Sequence, residues 1–280
     1  MSYVLDSSKT QEEISKGGNL AFIWNTFKRD PKKVLVGVKD SLFEVIRWLF
    51  APRFSMPGIS FGKRFAILRH CIKAEMTIPG GTTTLEALWI TYGIFLSKSA
   101  SDNWIEAGCY KGLSSVRLGL MAKLLNKKIR IYDTFQGLPK SEPVFESVDN
   151  GVNYEFKEGA YYGTDTEVME NIKKFGLEKY FTLIKGDINK TLPDPQLSKI
   201  SFAFLDVDLA YSYSCCFKGI ANHIEKGTLV VIHEACYKPI RDLVEDKNFW
   251  KEINCPAPQI TYIADTFKIP SCRGLAFLSW

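Results

Sequence analysis

The sequence lacks the features that mark several large classes of protein. Its 280 residues contain no apolar run of the ~18 residues that a membrane-spanning helix needs. Residues 1–16 are polar, so we expect no secretory signal. The seven cysteines are odd in number and never form a CxxC pair, which argues against a disulfide framework or a zinc knuckle. We therefore expect reduced thiols in a cytoplasmic protein, with a membrane-peripheral location as the alternative.

The composition is that of an ordinary globular protein. Hydrophobic residues make up 46% and charged residues 24% of the chain, which excludes a disordered or collagen-like protein. The length is roughly twice that of a typical domain of about 150 residues. One α/β domain with an added segment accounts for it.

The charge is distributed unevenly along the chain. Residues 1–74 contain 13 Lys and Arg but only 6 Asp and Glu, whereas the whole chain has 36 basic and 31 acidic residues. The basic excess is therefore entirely N-terminal, and the rest of the chain is slightly acidic. This contrast predicts a basic helical N-terminal extension over residues 1–74 and a main domain over residues 75–280.

The N-terminal extension contains one predicted amphipathic helix, residues 34–50, bounded by Pro31 and Pro52. Its apolar residues recur at helical spacing, at Leu35, Val38, Leu42, Val45, Ile46 and Leu49. We interpret it as a helix that packs on the main domain or on a second subunit, and we expect a homo-oligomer. Contact with an anionic membrane surface is the alternative. The segment is too apolar for a nucleic-acid patch, so no nucleic-acid partner is expected.

From residue 103 onward, short apolar runs alternate with helical patterns. The predicted strands cover residues 103–107, 129–133, 181–185, 200–206 and 229–232, with a closing antiparallel pair at 259–264 and 274–280. The predicted helices between them include residues 112–125, 164–175, 211–225 and 240–253. This alternation predicts the α/β class, with a parallel sheet covered by helices on both faces. In such sheets, ligands bind at the carboxyl ends of the strands.

An acidic residue lies at or just after the end of each of the first three predicted strands. Glu106 begins the pattern E-x-G-x-x-x-G, in which Gly108 permits a tight turn and Gly112 a close approach of backbone to ligand. The pattern lacks the third glycine of a dinucleotide fingerprint. An acidic residue there suits a cationic ligand, such as the amino or sulfonium group of S-adenosylmethionine. Asp133 is placed to bind ribose hydroxyls and Asp187 an adenine amine, although each could simply be a helix cap or a solvated loop carboxylate.

Further polar residues follow the fourth and fifth strands. Asp206 ends the fourth strand, and His233 and Glu234 follow the fifth, so these side chains are expected to converge. Carboxylates and an imidazole suit a divalent metal, with Mg²⁺ expected. A metal bound to sugar hydroxyls would lower the pKa of one of them, and Asp206 or His233 could take its proton. In the alternative interpretation, His233 is only hydrogen-bonded and no metal binds.

A set of sequence motifs occurs in order between about residues 76 and 250. The most specific is Asp133-Thr-Phe-Gln-Gly-Leu-Pro139. The others include Ile105-Glu-Ala-Gly-Cys-Tyr-Lys-Gly-Leu-Ser-Ser115, Gly159-Ala-Tyr-Tyr-Gly163, Lys185-Gly-Asp187 and Leu205-Asp-Val-Asp-Leu209. In these motifs the chain resembles the macrocin O-methyltransferase family, a branch of the class I S-adenosylmethionine-dependent methyltransferases.

The resemblance implies a doubly wound, seven-stranded Rossmann-like methyltransferase sheet whose last strand is antiparallel. It implies S-adenosylmethionine as cofactor and methyl transfer to a hydroxyl, often on a sugar of a natural product or surface glycan. The expected partner is thus a small-molecule or glycan acceptor. The alternatives are a metal-independent methyltransferase of another small hydroxylated acceptor, a nicotinamide-dependent oxidoreductase on the same sheet, and a non-catalytic module.

The resemblance also implies a set of site residues. The cofactor set is Glu106, Gly108, Tyr110, Gly112, Ser114, Asp133 and Asp187. The metal set is Asp206, His233 and Glu234, and the catalytic pair is Asp206 and His233. Where the family usually has Asp-Asp after the fifth strand, this chain has His233-Glu234, and both of these side chains are able to ligate a metal. Residues 138–163 resemble the lid of the family, whose closure would exclude water from the acceptor.

Overall fold

The computed structural model describes residues 31–51, 54, 56–140, 145–146, 153–154 and 156–280. For residues 31–40, 145–146 and 153–154 it describes the secondary structure but not the side chains. The polar residues 1–16 and much of the predicted lid, including Glu142, Asp149 and Glu155, lie outside the described residues.

The described residues form an α/β fold preceded by helices. The helices are α1 (Pro31–Phe50), α2 (Phe61–Thr77), α3 (Thr84–Leu96), α4 (Leu113–Leu125), α5 (Asp165–Lys174), α6 (Ile188–Thr191), α7 (Ala210–Ile220), α8 (Lys238–Glu245), α9 (Lys247–Glu252) and α10 (Ile263–Phe267). The strands are β1 (Asn103–Ala107), β2 (Lys128–Asp133), β3 (Phe145–Glu146), β4 (Asn153–Tyr154), β5 (Phe181–Lys185), β6 (Ile200–Leu205), β7 (Leu229–Ile232), β8 (Gln259–Tyr262) and β9 (Ala276–Ser279).

Seven strands form one sheet in the order β5-β2-β1-β6-β7-β9-β8. The strands β5, β2, β1, β6 and β7 are parallel, and β9 runs antiparallel to both β7 and β8. The predicted seven-stranded sheet with an antiparallel last strand is confirmed. The register pairs Ala107 with Leu205 and Leu205 with Ile232. Residues that follow these positions therefore leave the sheet at the same level, which brings Asp206 and His233 together.

The sheet is buried on both faces, and this explains its apolar sequence. Every residue of β6 is buried. Phe202 and Phe204 face one core, with helices α1 to α5, while Ala203 and Leu205 face the other, with α7 to α9. Parallel strands covered on both faces are expected to be continuous apolar runs. All seven cysteines are buried, and none forms a disulfide.

Helix α1 spans Pro31–Phe50 and includes the helix predicted at residues 34–50. Near its C-terminal end, the Trp48 indole donates a hydrogen bond of 2.8 Å to the Leu88 carbonyl of α3. Arg64 of α2 donates to the carbonyl oxygens of Trp48, Leu49 and Phe54. These hydrogen bonds therefore attach the C-terminal end of α1 to α2 and α3.

Two predicted helices were too long. Residues 240–253 were predicted as one helix, but α8 and α9 are separated at Asp246, which has an extended backbone and accepts a 2.8 Å hydrogen bond from the Asn248 N–H. Asp side chains cap helices in this way and thereby compete with helix continuation. The helix predicted at 211–225 ends at Ile220 and continues only as a 3₁₀ turn to His223. Among the described residues, no helix is both long and apolar enough to span a bilayer.

Candidate active site

A cavity of about 550 Å³ lies at the carboxyl ends of the parallel strands. This volume is in the range of small-molecule sites. Eight of the ten predicted site residues line it, namely Gly108, Tyr110, Ser114, Asp133, Asp187, Asp206, His233 and Glu234. The structure thus brings the predicted cofactor and metal residues into one cavity, while Glu106 and Gly112 lie outside its lining.

The chain leaves four of the central strands through left-handed backbone conformations. Tyr110 follows β1, Phe135 follows β2, Asp208 follows β6 and Glu234 follows β7, with φ values of 49°, 55°, 59° and 49°. Residues other than glycine seldom adopt such angles, and they concentrate at functional sites. At Gly108 (φ 77°), a Cβ atom would lie 1.9 Å from the Asp206 carbonyl oxygen, so only glycine allows this approach.

Two predicted cofactor carboxylates are held by backbone N–H groups. The Asp133 Oδ2 accepts from the Cys109 N–H at 2.8 Å and its Oδ1 from the Phe135 N–H at 2.7 Å. Asp187 caps α6 by accepting from the Asn189 N–H at 3.0 Å. The cap predicted as the simpler interpretation of Asp187 is therefore present, but this exposed residue also lines the cavity. Carboxylate oxygens have further lone pairs, so both residues remain able to accept from a ligand.

Glu106 lies behind the cavity wall. It is fully buried, and neither carboxylate oxygen has a hydrogen-bond partner among the described residues. Burial raises the pKa of Glu106 to about 8; the nearby Ser114 and Ser115 hydroxyls oppose this shift, and the charges of Asp206 and Asp133 add to it. A buried carboxyl without a partner, next to a cavity, is able to stabilise a cation bound there.

Gly112 lies where the start of α4 packs closely against α5. Its φ is 86°, it precedes the first residue of α4, and a Cβ atom there would lie 3.2 Å from Val168 Cγ1. The close approach predicted toward a ligand is thus made toward α5. Its place in the cofactor set stays a prediction.

Three potential metal ligands converge at the ends of β6 and β7. One ligand atom each from Asp206, His233 and Glu234 lies within 4.8 Å of the other two. The His233 Nδ1 is 3.2 Å from Asp206 Oδ1 and also forms a hydrogen bond with Glu234 Oε1. The convergence expected from the sequence is therefore present. Two carboxylates and an imidazole form a donor set that suits Mg²⁺ or Mn²⁺.

The electrostatics of this cluster are dominated by its carboxylates. Burial alone would lower the pKa of His233, but the charges of Glu234 and Asp206 outweigh it and raise that pKa well above its ordinary value. Burial raises the pKa of Glu234 to about 7, with Asp206 adding to the shift. Asp208 also lines the cavity, and burial together with Glu234 and Asp206 raises its pKa. Such concentrated negative charge favours a bound cation.

Two further residues hold the cluster in place, and they were not predicted as site residues. Glu86 of α3 is buried, and its Oε1 lies 3.4 Å from His233 Nε2, while its Oε2 accepts from the Thr83 N–H at 2.8 Å. The Tyr213 hydroxyl is 3.0 Å from Glu234 Oε2. The spacing T-x-x-E of Thr83 and Glu86 predicts a helix cap, so no sequence signal indicated the contact with His233.

The two ends of the predicted lid are joined beside the cavity. The Leu138 N–H donates to the Ala160 carbonyl at 2.8 Å, and the Gly159 N–H donates back to Leu138 at 2.9 Å. The ring centroids of Tyr161 and Tyr110 are 5.7 Å apart in an edge-to-face contact, and both residues line the cavity. The segment between these ends contains the antiparallel pair β3 and β4.

Solved methyltransferases share this fold. CalS11, a calicheamicin methyltransferase, matches with a TM-score of 0.52 and 16% identity over 87% of this chain and 92% of its own. The O-methyltransferase NovP matches with a TM-score of 0.54 and 14% identity over 86% of this chain and 98% of its own. At such low identity the likeness shows the fold, which is that of a class I methyltransferase.

The sequence identifies the family more closely. The model of the macrocin-O-methyltransferase (TylF) family matches residues 84–268, well over half of the chain. The chain belongs to this family, and it is therefore an S-adenosylmethionine-dependent O-methyltransferase. No curated protein sequence matches the chain.

Proposed function

We propose that this protein methylates a hydroxyl of a sugar, in a natural product or a surface glycan, with the help of a divalent metal. One observation carries the proposal: the cavity that contains Asp133 and Asp187 also contains Asp206, His233 and Glu234. In this proposal, the cofactor site and the hydroxyl-activating site are therefore adjacent. Aromatic residues on which a sugar ring could stack, Tyr161 and Tyr237 among others, complete the lining.

The residues present fit S-adenosylmethionine. Asp133 is positioned to accept hydrogen bonds from the ribose hydroxyls and Asp187 from the adenine amine. Tyr110 and Ser114 contribute to the wall between them, and Gly108 keeps the turn after β1 narrow. Glu106 is buried behind the position of the cationic end, and a cation bound there would favour the ionised form of this carboxyl over the neutral form that burial favours.

The residues also fit a divalent metal, which Asp206, His233 and Glu234 would hold. When bound, S-adenosylmethionine would supply a methyl group and leave as S-adenosylhomocysteine, and a metal held by these residues would lower the pKa of an acceptor hydroxyl. Asp206 accepts the proton of the acceptor hydroxyl, and His233, 3.2 Å away, holds that carboxylate in place. Methyl transfer would form the bond between the acceptor oxygen and the methyl carbon as the sulfur–carbon bond breaks. Holding the reactants in line contributes much of the rate.

In this proposal, different parts of the chain have different roles. Residues 75–280 carry the chemistry, and the lid at 138–163 closes over the acceptor. Residues 1–74 form the extension, whose segment 34–50 provides a contact to a subunit or a membrane. A cytoplasmic location and a homo-oligomeric state stay predictions.

The first test separates cofactor binding from turnover. Calorimetry with S-adenosylmethionine should show binding, and Asp206→Ala should keep that affinity while lowering turnover by about 10²- to 10⁴-fold, as expected for loss of a general base. Asp242→Ala, at an exposed ion pair with Lys238, is the control and should retain full activity. Full activity of Asp206→Ala would refute the role of Asp206, and absence of cofactor binding would refute the whole proposal.

The second test concerns the metal and the acceptor. Turnover should fall on treatment with EDTA and return with Mg²⁺ or Mn²⁺, with deoxysugar conjugates and surface-glycan precursors as trial acceptors. Unchanged turnover in EDTA would favour the alternative, a metal-independent methyltransferase.

Calorimetric titration of Mn²⁺ into the cofactor-free protein should give binding, and His233→Ala should weaken that binding.

A further inference from the structure

Helices α1 and α2, the first two among the described residues, expose an apolar surface. Eight large apolar side chains of α1 and α2 are between 43% and 73% exposed: Leu42, Phe43, Ile46, Phe50, Phe61, Phe65, Ile72 and Met76. We refer to these eight residues as the N-terminal apolar surface. Single exposed apolar side chains are common, but a contiguous set on a folded protein usually marks a contact site.

The two helices contribute one face each. In α2, the exposed residues follow the spacing i, i+4, i+11 and i+15, while Ile67, Leu68, Cys71 and Ala74 are buried against the main domain. In α1, the exposed residues lie opposite the buried Trp48. The rings of Phe50 and Phe61 are 5.0 Å apart, which joins the two faces. The surface is therefore continuous from one helix to the other.

The charges around this surface are of one sign. Arg69 and Lys73 are exposed on α2, on the side of the helix that adjoins its exposed apolar residues. Residues 41–77 contain only two acidic residues, and neither offers an unpaired charge: Glu44 forms an ion pair with Arg47 and Glu75 with Arg117. The exposed face of the described part of these helices is therefore apolar and cationic, without an exposed carboxylate.

We propose that the N-terminal apolar surface docks on a membrane that contains anionic lipids, with α1 and α2 lying in the plane of the interface. Apolar side chains enter the boundary between headgroups and acyl chains, and Arg69 and Lys73 meet lipid phosphates. A second copy of the chain fits less well, because a two-fold contact through this surface would bring the Arg69 and Lys73 of both copies into one interface. Lysine is also depleted at protein interfaces.

Vesicle sedimentation with the full chain tests this proposal, and it requires neither cofactor nor acceptor. The protein should bind vesicles of phosphatidylcholine mixed with phosphatidylglycerol, bind phosphatidylcholine alone much more weakly, and lose binding as salt is raised. The variant R69Q/K73Q should bind at least about tenfold more weakly, since each basic residue near an anionic surface contributes to affinity. The variant F61S/F65S should also bind more weakly.

The matched control is K247Q/K251Q, which removes the same charge from exposed positions elsewhere on the molecule. It should bind like the unmodified protein. Equal losses in both double variants, or no binding of the unmodified protein to anionic vesicles, would overturn the proposal. Light scattering in the absence of vesicles gives a further check. A dimer that F61S/F65S converts to a monomer would assign the surface to a subunit contact instead, and would also overturn the proposal.

Discussion

At the scale of single residues, Glu106 combines full burial with two carboxylate oxygens that lack partners among the described residues. Its pKa of about 8, raised by burial from 4.5, means that folding takes up a proton between these values. The folded state therefore loses stability as pH rises through this window, because the unfolded chain is by then ionised without penalty. Glu106 therefore lowers the stability of the folded protein at high pH, at a position beside the proposed cofactor site.

The first prediction follows from this linkage. Glu106→Gln removes the ionisation, so its free energy of unfolding should exceed that of the unmodified protein by a few kcal/mol at about pH 8.5, and by much less at about pH 5. Denaturant unfolding at both pH values measures the difference. Glu178→Gln, at an exposed position, is the control and should show no such trend. Parallel stability curves for Glu106→Gln and the unmodified protein would contradict this interpretation.

A second prediction concerns Glu86, a positioning residue that acts through His233. A carboxylate that holds the far nitrogen of a ligating histidine is typically needed for full metal affinity, with losses of about 10- to 100-fold when it is changed. Glu86→Gln should lower Mn²⁺ affinity and kcat by this order. The affinity for S-adenosylmethionine should not change, because Glu86 is not part of the cavity lining.

Calorimetry with Mn²⁺ and with the cofactor separates this positioning role from a merely structural one. Loss of both affinities together would show that Glu86 only supports the fold. Glu86→Asp, which shortens the side chain but keeps its charge, should fall between Glu86→Gln and the unmodified protein.

At the scale of elements, the buried strands were the most predictable from sequence. The strands β1, β5 and β7 begin and end at the predicted residues, since a parallel strand is a short apolar run bounded by polar residues. Helix ends were less predictable. Asp246 divides a predicted helix because its side chain satisfies a backbone N–H at that point. A local hydrogen bond of this kind leaves the apolar periodicity unchanged, so periodicity does not reveal it.

The third prediction tests the attachment of α1 to α2. Arg64 donates three hydrogen bonds to carbonyl oxygens at the end of α1 and just beyond it. Arg64→Ala should therefore lower the free energy of unfolding by about 1–3 kcal/mol, because these bonds come from a charged donor. Arg69→Ala, on the exposed face of the same helix, should change it by less than about 0.5 kcal/mol. Thermal or urea unfolding of the two variants provides the comparison, and equal effects would contradict the attachment.

At the scale of the whole molecule, the site residues at the strand ends were predictable from the sequence, because the sheet alone determines their positions. Because parallel strands end at one edge, the residues at their ends, such as Asp133 and Asp206, were expected to meet, and they line one cavity. Glu86 reaches the same site from α3, which precedes the sheet in the chain. Its position depends on how that helix packs on the sheet, and packing across layers has no signature in local sequence.

The fourth prediction uses the stability of the whole protein. Binding to the folded state alone stabilises it by about 2.7 kcal/mol at a ligand concentration of a hundred times the Kd. S-adenosylmethionine should therefore raise the melting temperature by several degrees. NADH at the same concentration should leave it unchanged. Scanning fluorimetry measures both, and a shift with NADH alone would favour the oxidoreductase alternative.

The buried cysteines can serve as chemical probes of partial unfolding. Cys71 and Cys272 belong to the core on one face of the sheet, and Cys216 and Cys255 to the core on the other. A thiol reagent attacks the thiolate, and burial raises the pKa of Cys71 to about 11, so labelling must wait until the surrounding layer opens. Mass spectrometry of labelled peptides would measure how fast the cysteines on each face of the sheet react. The rates would show which of the two cores opens more often, both with and without cofactor.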